Sequence, residues 1–153
     1  MSTSTSTHKA TLTDLDELAE LFNLYRVFYK KESDVAAGKA FLKERITQNE
    51  SEIFVARHPS GRLAGFVQLY PLFTSTNLKR TWLLNDLFVH ADFRGLGISK
   101  LLIEAAKELC KSTNAFGLTL ETDVSNIEGN NLYPKTGFTL DDHNFYYWKN
   151  PNK

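Results

Sequence analysis

Two glycines separated by one residue follow a strongly apolar segment in the middle of the chain. Residues 83–89 predict a strand with apolar residues on both faces, and Gly95 and Gly97 supply a turn without side chains. From Ile98 onward the apolar residues recur at helical spacing. The free N–H groups at the start of a helix attract anions, and glycine lets a phosphate approach the backbone. This stretch therefore predicts a phosphate-binding turn.

The same turn differs from two well-known nucleotide-binding motifs. In a P-loop the lysine precedes serine or threonine, but Lys100 precedes Leu101. A dinucleotide-binding motif has a third glycine and an acidic residue that ends the next strand at a set distance, and this segment has neither at the expected position. Taken alone, the turn could also have an ordinary structural role in place of phosphate binding.

A second motif near the C-terminal end adds to this interpretation. It consists of Asn126, the pair Leu132-Tyr133 and the pair Gly137-Phe138. With the first motif it resembles the GNAT N-acetyltransferase superfamily. That family's phosphate-binding signature is Arg or Gln, two residues, Gly, one residue, then Gly or Ala. In this chain the signature falls on Arg94, Gly97 and Ser99, and Ser99 departs from it.

The resemblance implies acetyl-coenzyme A as cosubstrate. The pantetheine arm would lie along the apolar strand, with backbone partners at Leu87 and Val89. Asn126 and Tyr133 would bind the cofactor from the following helix. The pyrophosphate would be held in the glycine turn, at Arg94, Gly95, Leu96, Gly97, Ser99 and Lys100.

Acetyl transfer to an amine needs a neutral nucleophile and a proton for the leaving thiolate. The resemblance implies Tyr133 as the proton donor, the alternative being a half-buried core aromatic. Glu121, twelve residues earlier, is the preferred base, by similarity to the ribosomal-protein N-terminal acetyltransferases. Asp86 and a water relay without a single base are left open, and Glu121 could also simply pair with a lysine. Strand alternation lets only one of Asn85 and Asp86 face the site.

The acceptor is predicted from aromatic residues near the end of the first helix. Tyr25, Phe28 and Tyr29 form a cluster that, with Asn85, would contact a cationic amine. We expect direct attack in a ternary complex by a small primary amine, an amino acid or a polyamine-like molecule. A peptide N-terminus, a lysine side chain, and a non-catalytic acyl-CoA-binding regulatory module are the alternatives.

The pattern of elements predicts an α/β protein of the α+β type. An N-terminal strand over 8–12 and two helices, capped at Thr13 or Asp14 and at Ser33 or Asp34, precede an antiparallel meander. The strand–helix–strand order predicts a parallel central pair, and the resemblance implies that this pair is splayed around the cofactor. The resemblance implies a GNAT-like mixed sheet of about six to seven strands with about four helices. Strands over 117–122 and 143–148 complete that sheet, and Pro134 should bend or end its helix at Tyr133.

Composition limits the classes of partner. The chain has 153 residues, with 18 basic and 18 acidic side chains, so no net charge favours nucleic acid or an anionic membrane. We expect a short disordered tail over 1–7, one domain over 8–153, and a cytoplasmic location. The four histidines lack ligand spacing, so no metal site is expected. The aromatic residues over 145–148 could face a second copy in a homodimer.

Overall fold

A computed structural model describes residues 4–152, in two compact units that divide after Glu121. The first unit contains a five-stranded mixed sheet in the order β1 (Ser6–Lys9), β2 (Glu52–Arg57), β3 (Leu63–Thr74), β4 (Lys79–Val89) and β5 (Leu118–Thr119). Its helices are α1 (Leu15–Phe28), α2 (Val35–Thr47) and α3 (Ile98–Ser112), and the second unit contains α4 (Ile127–Lys135). The predicted mixed α/β class with about four helices is confirmed.

The sheet has fewer strands than expected, although its pairing follows the prediction. Strands β1 to β4 pair antiparallel, and β4 pairs parallel with β5 after the α3 crossover. The strand predicted over 117–122 is reduced to two residues. The strand predicted over 143–148 is absent, and the described residues of the second unit contain no strand that could pair with it. The aromatic side chains there are 74–86% exposed.

The N-terminal strand begins earlier than the sequence suggested. Ser6 pairs with Arg57 and Lys9 with Phe54, so β1 overlaps the end of the predicted tail. Residues 1–3 of that tail lie outside the described residues.

Short polar side chains set where the first two helices begin. Asp14 occupies the N-cap position of α1, one of the two residues predicted, although its side chain makes no capping hydrogen bond there. Thr11 caps the short 3₁₀ turn that precedes α1, and Asp14 accepts a hydrogen bond from the Thr11 N–H at 3.0 Å. Asp34 caps α2 as predicted, by accepting from the N–H of Ala37 at 3.0 Å. These caps satisfy N–H groups that lack intrahelical partners.

The core of the first unit lies between the sheet and its helices. Leu18 of α1, Leu42 of α2, Val55 of β2 and Phe66 of β3 are fully buried in one apolar cluster. Burying such side chains stabilises a fold by about 1.5–3 kcal/mol each. This packing fixes α1 against the sheet. Within residues 4–152 no helix is long and apolar enough to cross a membrane.

Candidate active site

The glycine turn joins β4 to α3 through two left-handed residues. Gly95 has φ 79° and Gly97 has φ 76°, a region that favours glycine. Buried Phe93 and Ile98 anchor the turn on either side. Gly97 occupies the N-cap position of α3 and has no side chain to cap it, so the first N–H groups of the helix are available to an anion. Ser99 lies half-buried in that first turn.

Asn85 is the extra residue of a β-bulge in β4. Asp86 pairs with Gln68 on β3 and Leu84 pairs with Leu69, which leaves Asn85 without a partner. A bulge bends its strand and increases the local twist. The parallel pairing with β5 ends at Leu83, two residues before the bulge. The bulge accounts for the short β5 that the sequence did not predict.

Beyond the bulge, one edge of β4 is open. Successive residues of a strand point their backbone groups to opposite edges. The N–H of Trp82 donates to the segment just before β5 at 3.0 Å, whereas the N–H of His90 donates to a β3 carbonyl at 2.8 Å. Because the directions alternate and the His90 N–H faces β3, the backbone groups of Val89 and Leu87 face away from β3. Strand β5 does not pair with these residues, so their edge has no strand partner within the first unit, and the Val89 carbonyl accepts a hydrogen bond from Arg94 Nε at 3.2 Å.

Asp86 is a buried carboxylate, 5% exposed, next to this edge. Its Oδ2 accepts from Nε2 of Gln68 at 2.7 Å and its Oδ1 from Nδ2 of Asn85 at 3.0 Å. Burial raises the pKa of Asp86, although hydrogen bonds from Gln68, Tyr25 and Asn85 oppose the rise. Burial and the nearby Asp86 charge also raise the pKa of Tyr70 to about 12. A carboxylate with a raised pKa is suited to accept a proton near neutral pH.

Aromatic side chains from the end of α1 cover the face beside Asp86. The centre of the Tyr25 ring lies 6.1 Å from that of Phe88 and 5.0 Å from that of Tyr29. The ring centres of Phe28 and Phe88 are 6.4 Å apart. The Tyr25 hydroxyl is 3.5 Å from the carbonyl oxygen of Asn85. Phe28 is 59% exposed, so it belongs to the surface of this face and not to the core.

In the second unit, Asn126 caps the start of α4. Its Oδ1 accepts from the N–H of Gly129 at 3.1 Å, and its Nδ2 donates to the Thr122 hydroxyl at 2.9 Å. A Cβ atom at Gly129 would lie 2.6 Å from that Nδ2, so the cap needs glycine at this position. The Asn126 amide therefore has a local structural role.

Tyr133 lies within α4, close to its C-terminal end. The helix continues through Pro134 to Lys135, so it ends two residues later than the end expected at Tyr133. Gly137, with φ 99°, forms a Schellman motif: Phe138 donates to the Tyr133 carbonyl at 3.1 Å and Gly137 to that of Pro134 at 3.2 Å. The Tyr133 and Phe138 rings are 5.7 Å apart. This motif is the physical reason for the Gly-Phe pair after the tyrosine.

The sequence model of the acetyltransferase (GNAT) family matches residues 15–138, which include the glycine turn, the bulged strand and α4. The chain belongs to this family. It is 39% identical over 142 residues to a Bacillus subtilis (strain 168) relative named "Uncharacterized N-acetyltransferase YhfO", with 93% of this chain and 95% of the relative covered.

Solved structures agree with this GNAT assignment. The crystal structure of a probable acetyltransferase superposes with a TM-score of 0.88 at 37% identity, covering 95% of this chain and 97% of the other. An aminoglycoside N-acetyltransferase in complex with CoA shares the fold, with a TM-score of 0.82, 18% identity and 97% of each chain covered. Acetyl transfer is the general activity that the family and its named members support.

The first unit of this GNAT chain brings most of the predicted site residues together. Tyr25 lies beside Asn85 and Asp86, the Phe28 and Tyr29 rings pack next to Phe88 and Tyr25, and the open edge runs from there to the glycine turn. Glu121 is exposed, lies two residues after β5, and makes no side-chain hydrogen bond or ion pair with the described residues. Of the pair at the bulge, Asp86 is buried and Asn85 is exposed.

Two polar residues of the site were missed by sequence reasoning. Gln68 is fully buried and contacts Asp86, and Ser51 donates its hydroxyl hydrogen to Gln68 Oε1 at 2.9 Å. A signal was available for Gln68, because it is the only amide or charged side chain in the apolar run over 63–72. Ser51 has no such signal, since it lies at the polar end of a loop.

Proposed function

We propose that this protein transfers the acetyl group of acetyl-CoA to a small primary amine, such as an amino acid or a polyamine-like molecule, in a ternary complex. The observation that carries the proposal is the buried carboxylate of Asp86, which lies beside an aromatic face at an open strand edge. Such a carboxylate can accept a proton, and the aromatic face favours a cationic acceptor.

The residues around the glycine turn fit acetyl-CoA. The N–H groups of Gly95 to Lys100 make none of the backbone hydrogen bonds described for the turn, and two of these residues are glycines with open space where a Cβ would be. These groups would hold the pyrophosphate. The backbone groups of Leu87 and the N–H of Val89, whose carbonyl accepts from Arg94, would hold the pantetheine amides, as a neighbouring strand would. The CoA complex of the aminoglycoside N-acetyltransferase, which has the same fold, supports this use of the fold.

The acceptor is inferred from charge and ring faces. An alkyl ammonium is attracted to aromatic faces and to a carboxylate, and Phe28, Tyr29 and Asp86 offer both. Asn85, exposed on the bulge, would add a polar contact. The related aminoglycoside N-acetyltransferase indicates that this fold can act on a small molecule. These features favour a small amine over a large partner.

The reaction requires three proton movements. Acetyl-CoA supplies an acetyl carbonyl activated by its thioester bond. The acceptor ammonium gives one proton to Asp86 and becomes a neutral amine, whose electron pair forms the C–N bond as the C–S bond breaks. The nitrogen then releases a second proton to solvent, and the thiolate takes a proton. We assign that last proton to Tyr133, from the resemblance of its motif. We prefer Asp86 to Glu121 as the base because only Asp86 is buried and hydrogen-bonded.

The proposal is tested by the release of free thiol from acetyl-CoA across a panel of amines. The panel contains amino acids, polyamines, an aminoglycoside, a peptide with a free N-terminus and an N-terminally blocked lysine peptide. We expect amine-dependent release with at least one small amine. Release with the peptides alone would favour a peptide N-terminal or lysine acetyltransferase. Calorimetric binding of acetyl-CoA with no release on the whole panel would favour a regulatory acyl-CoA-binding module. Cytoplasmic location and dimer formation stay predictions from the sequence.

A further inference from the structure

A buried chain of polar side chains runs from Ser51 through Gln68 to Asp86. The Ser51 hydroxyl donates to Gln68 Oε1 at 2.9 Å, and Gln68 Nε2 donates to Asp86 Oδ2 at 2.7 Å. Gln68 is 0% exposed, and it lies opposite Asp86 in the register of β3 and β4. A buried amide is costly unless both of its ends are hydrogen-bonded. Among residues 4–152, Gln68 meets that condition through these two partners.

The orientation of the Gln68 amide follows from the chemistry of its neighbours. An ionised carboxylate only accepts hydrogen bonds, whereas an amide has one donor end and one acceptor end. The donor end must therefore face Asp86, which leaves Oε1 for Ser51. Because the Ser51 hydroxyl donates to Oε1, it stabilises this orientation of the amide against the reversed one.

The two oxygens of Asp86 have different surroundings. Oδ2 faces fully buried Gln68. Oδ1 accepts from Asn85, the exposed residue of the bulge, at 3.0 Å. Tyr25 of α1 also hydrogen-bonds to this carboxyl group. The carboxylate thus has one oxygen on the buried side and one on the side of the bulge.

We propose that Gln68 is a positioning residue for acetyl transfer, which holds Asp86 Oδ2 with an amide oriented by Ser51 and thereby leaves Oδ1 to take the proton from the acceptor amine. One proton moves from the acceptor ammonium to Oδ1, and the electron pair left on nitrogen forms the C–N bond as the C–S bond breaks. The nitrogen releases its second proton to solvent, and the thiolate takes the proton assigned above to Tyr133. Oδ2 keeps its hydrogen bond throughout. This inference rests on the proposed function, since it needs Asp86 to be the base.

The groups that act on Asp86 come from several elements. Gln68 and Tyr70 belong to β3, Asn85 to β4 and Tyr25 to α1, while Arg45 of α2 acts on Tyr70. Burial raises the pKa of Asp86, and the hydrogen bond from Gln68 lowers it. Loss of that hydrogen bond should therefore raise the pKa of Asp86 further.

The experiment compares wild type with Gln68→Met, which keeps the length of the side chain and removes both hydrogen bonds, and with Ser51→Ala, which removes only the orienting donor. Thr81→Val is the matched control, because Thr81 is 9% exposed on β4 and donates to the Gly117 carbonyl at 2.8 Å, outside this chain of residues. Two readouts are taken on each protein. One is the pH profile of kcat/KM, and the other is a titration of the Asp86 carboxyl by ¹³C NMR, assigned with Asp86→Asn.

We expect Gln68→Met to shift both the acidic limb and the NMR titration of Asp86 upward by about one pH unit, with lower kcat. Ser51→Ala should shift both by less, and Thr81→Val should shift neither. Ser51→Ala keeps the test decisive if Gln68→Met fails to fold.

An NMR shift without movement of the acidic limb, or no movement of either, would overturn the role of Gln68. The experiment distinguishes these results from a failure of the proposed function. If wild type acetylates no amine on the panel, the proposed function fails and the positioning role fails with it. If wild type is active and Asp86→Asn leaves its acidic limb unchanged, then Asp86 is not the base, and the role of Gln68 is overturned for that reason.

Discussion

Arg94 donates its Nε hydrogen to the backbone carbonyl of Val89 at 3.2 Å. Its guanidinium carbon also lies 5.8 Å from the centre of the Phe88 ring. The side chain therefore ties the start of the glycine turn to the end of β4. The two places proposed for the cofactor, the open edge and the turn, are held together by this contact.

Gly97→Val should remove the proposed phosphate site. The left-handed φ of 76° disfavours a β-branched residue, and a Cβ there would project into open space where a ligand needs the backbone. We expect a loss of about 1–2 kcal/mol of stability and at least a tenfold weaker binding of CoA in calorimetry. Gly61→Val is the control, because Gly61 has φ 93° and open space but lies in the β2–β3 turn. Equal CoA affinity in both variants would contradict the site.

Asp86→Asn and Glu121→Gln distinguish the two candidate bases. Because burial raises the pKa of Asp86, the acidic limb of kcat/KM should lie above the range of an ordinary aspartate. Activity should rise with pH through that limb, since the base must be ionised. We expect Asp86→Asn to lower kcat/KM by at least about 100-fold and abolish the limb, and Glu121→Gln to preserve it. A shifted limb in Glu121→Gln alone would restore the preference drawn from sequence.

Tyr133→Phe should slow turnover and leave CoA binding intact. Phenylalanine keeps the ring that packs 5.7 Å from Phe138 and loses only the hydroxyl. A missing general acid costs about 100-fold or more in kcat. Tyr147→Phe is the control, because Tyr147 is a 79% exposed tyrosine of the same unit. Steady-state kinetics at saturating acetyl-CoA measure the effect, and unchanged kcat in Tyr133→Phe would remove this tyrosine as the acid.

Phe28→Ala should weaken the binding of the acceptor amine without unfolding the protein. Phe28 is 59% exposed, so its removal leaves the core intact. If its ring face contacts the ammonium group, KM for the amine should rise by about 2- to 30-fold while KM for acetyl-CoA is unchanged. Phe73→Ala, at a 74% exposed aromatic that contacts Arg80, provides the comparison. A similar change in both variants would place the acceptor elsewhere.

Asp14 should make the stability of the fold depend on pH. Burial by itself would raise the pKa of Asp14, but the hydrogen bond from Thr11 and the interactions with His8 and Arg57 outweigh it and lower that pKa. A lowered pKa in the folded state means that Asp14 stabilises the fold above about pH 4 and loses this effect as the pH falls further.

We therefore expect Asp14→Ala to cost about 2 kcal/mol in urea denaturation at pH 7, and much less below pH 3. Asp16→Ala is the control, since Asp16 pairs with Lys39 through a side chain that is 87% exposed. It should change stability by less than about 0.5 kcal/mol. An equal cost of Asp14→Ala at both pH values would show that its charge is not responsible.

Features that depend on residues close together in the sequence could be predicted from the sequence alone. The glycine turn was found because left-handed glycines and a helix start lie within a few residues of each other. The Asp34 cap and the antiparallel hairpin of β2 and β3 are local for the same reason. The strand predicted over 143–148 was wrong, because alternation shows that residues can form a strand but not that a partner strand exists.

The sequence by itself determined the family motifs, the turn that can bind phosphate, and the set of carboxylates that could act as a base. Only the tertiary structure decided which carboxylate is buried, and with which partners. Tyr25 and Asn85 are 60 positions apart, and Gln68 and Asp86 are 18 apart, yet each pair is in contact. Burial and hydrogen bonding of Asp86 arise from strand register and from the packing of α1 on the sheet, which join residues distant in the chain.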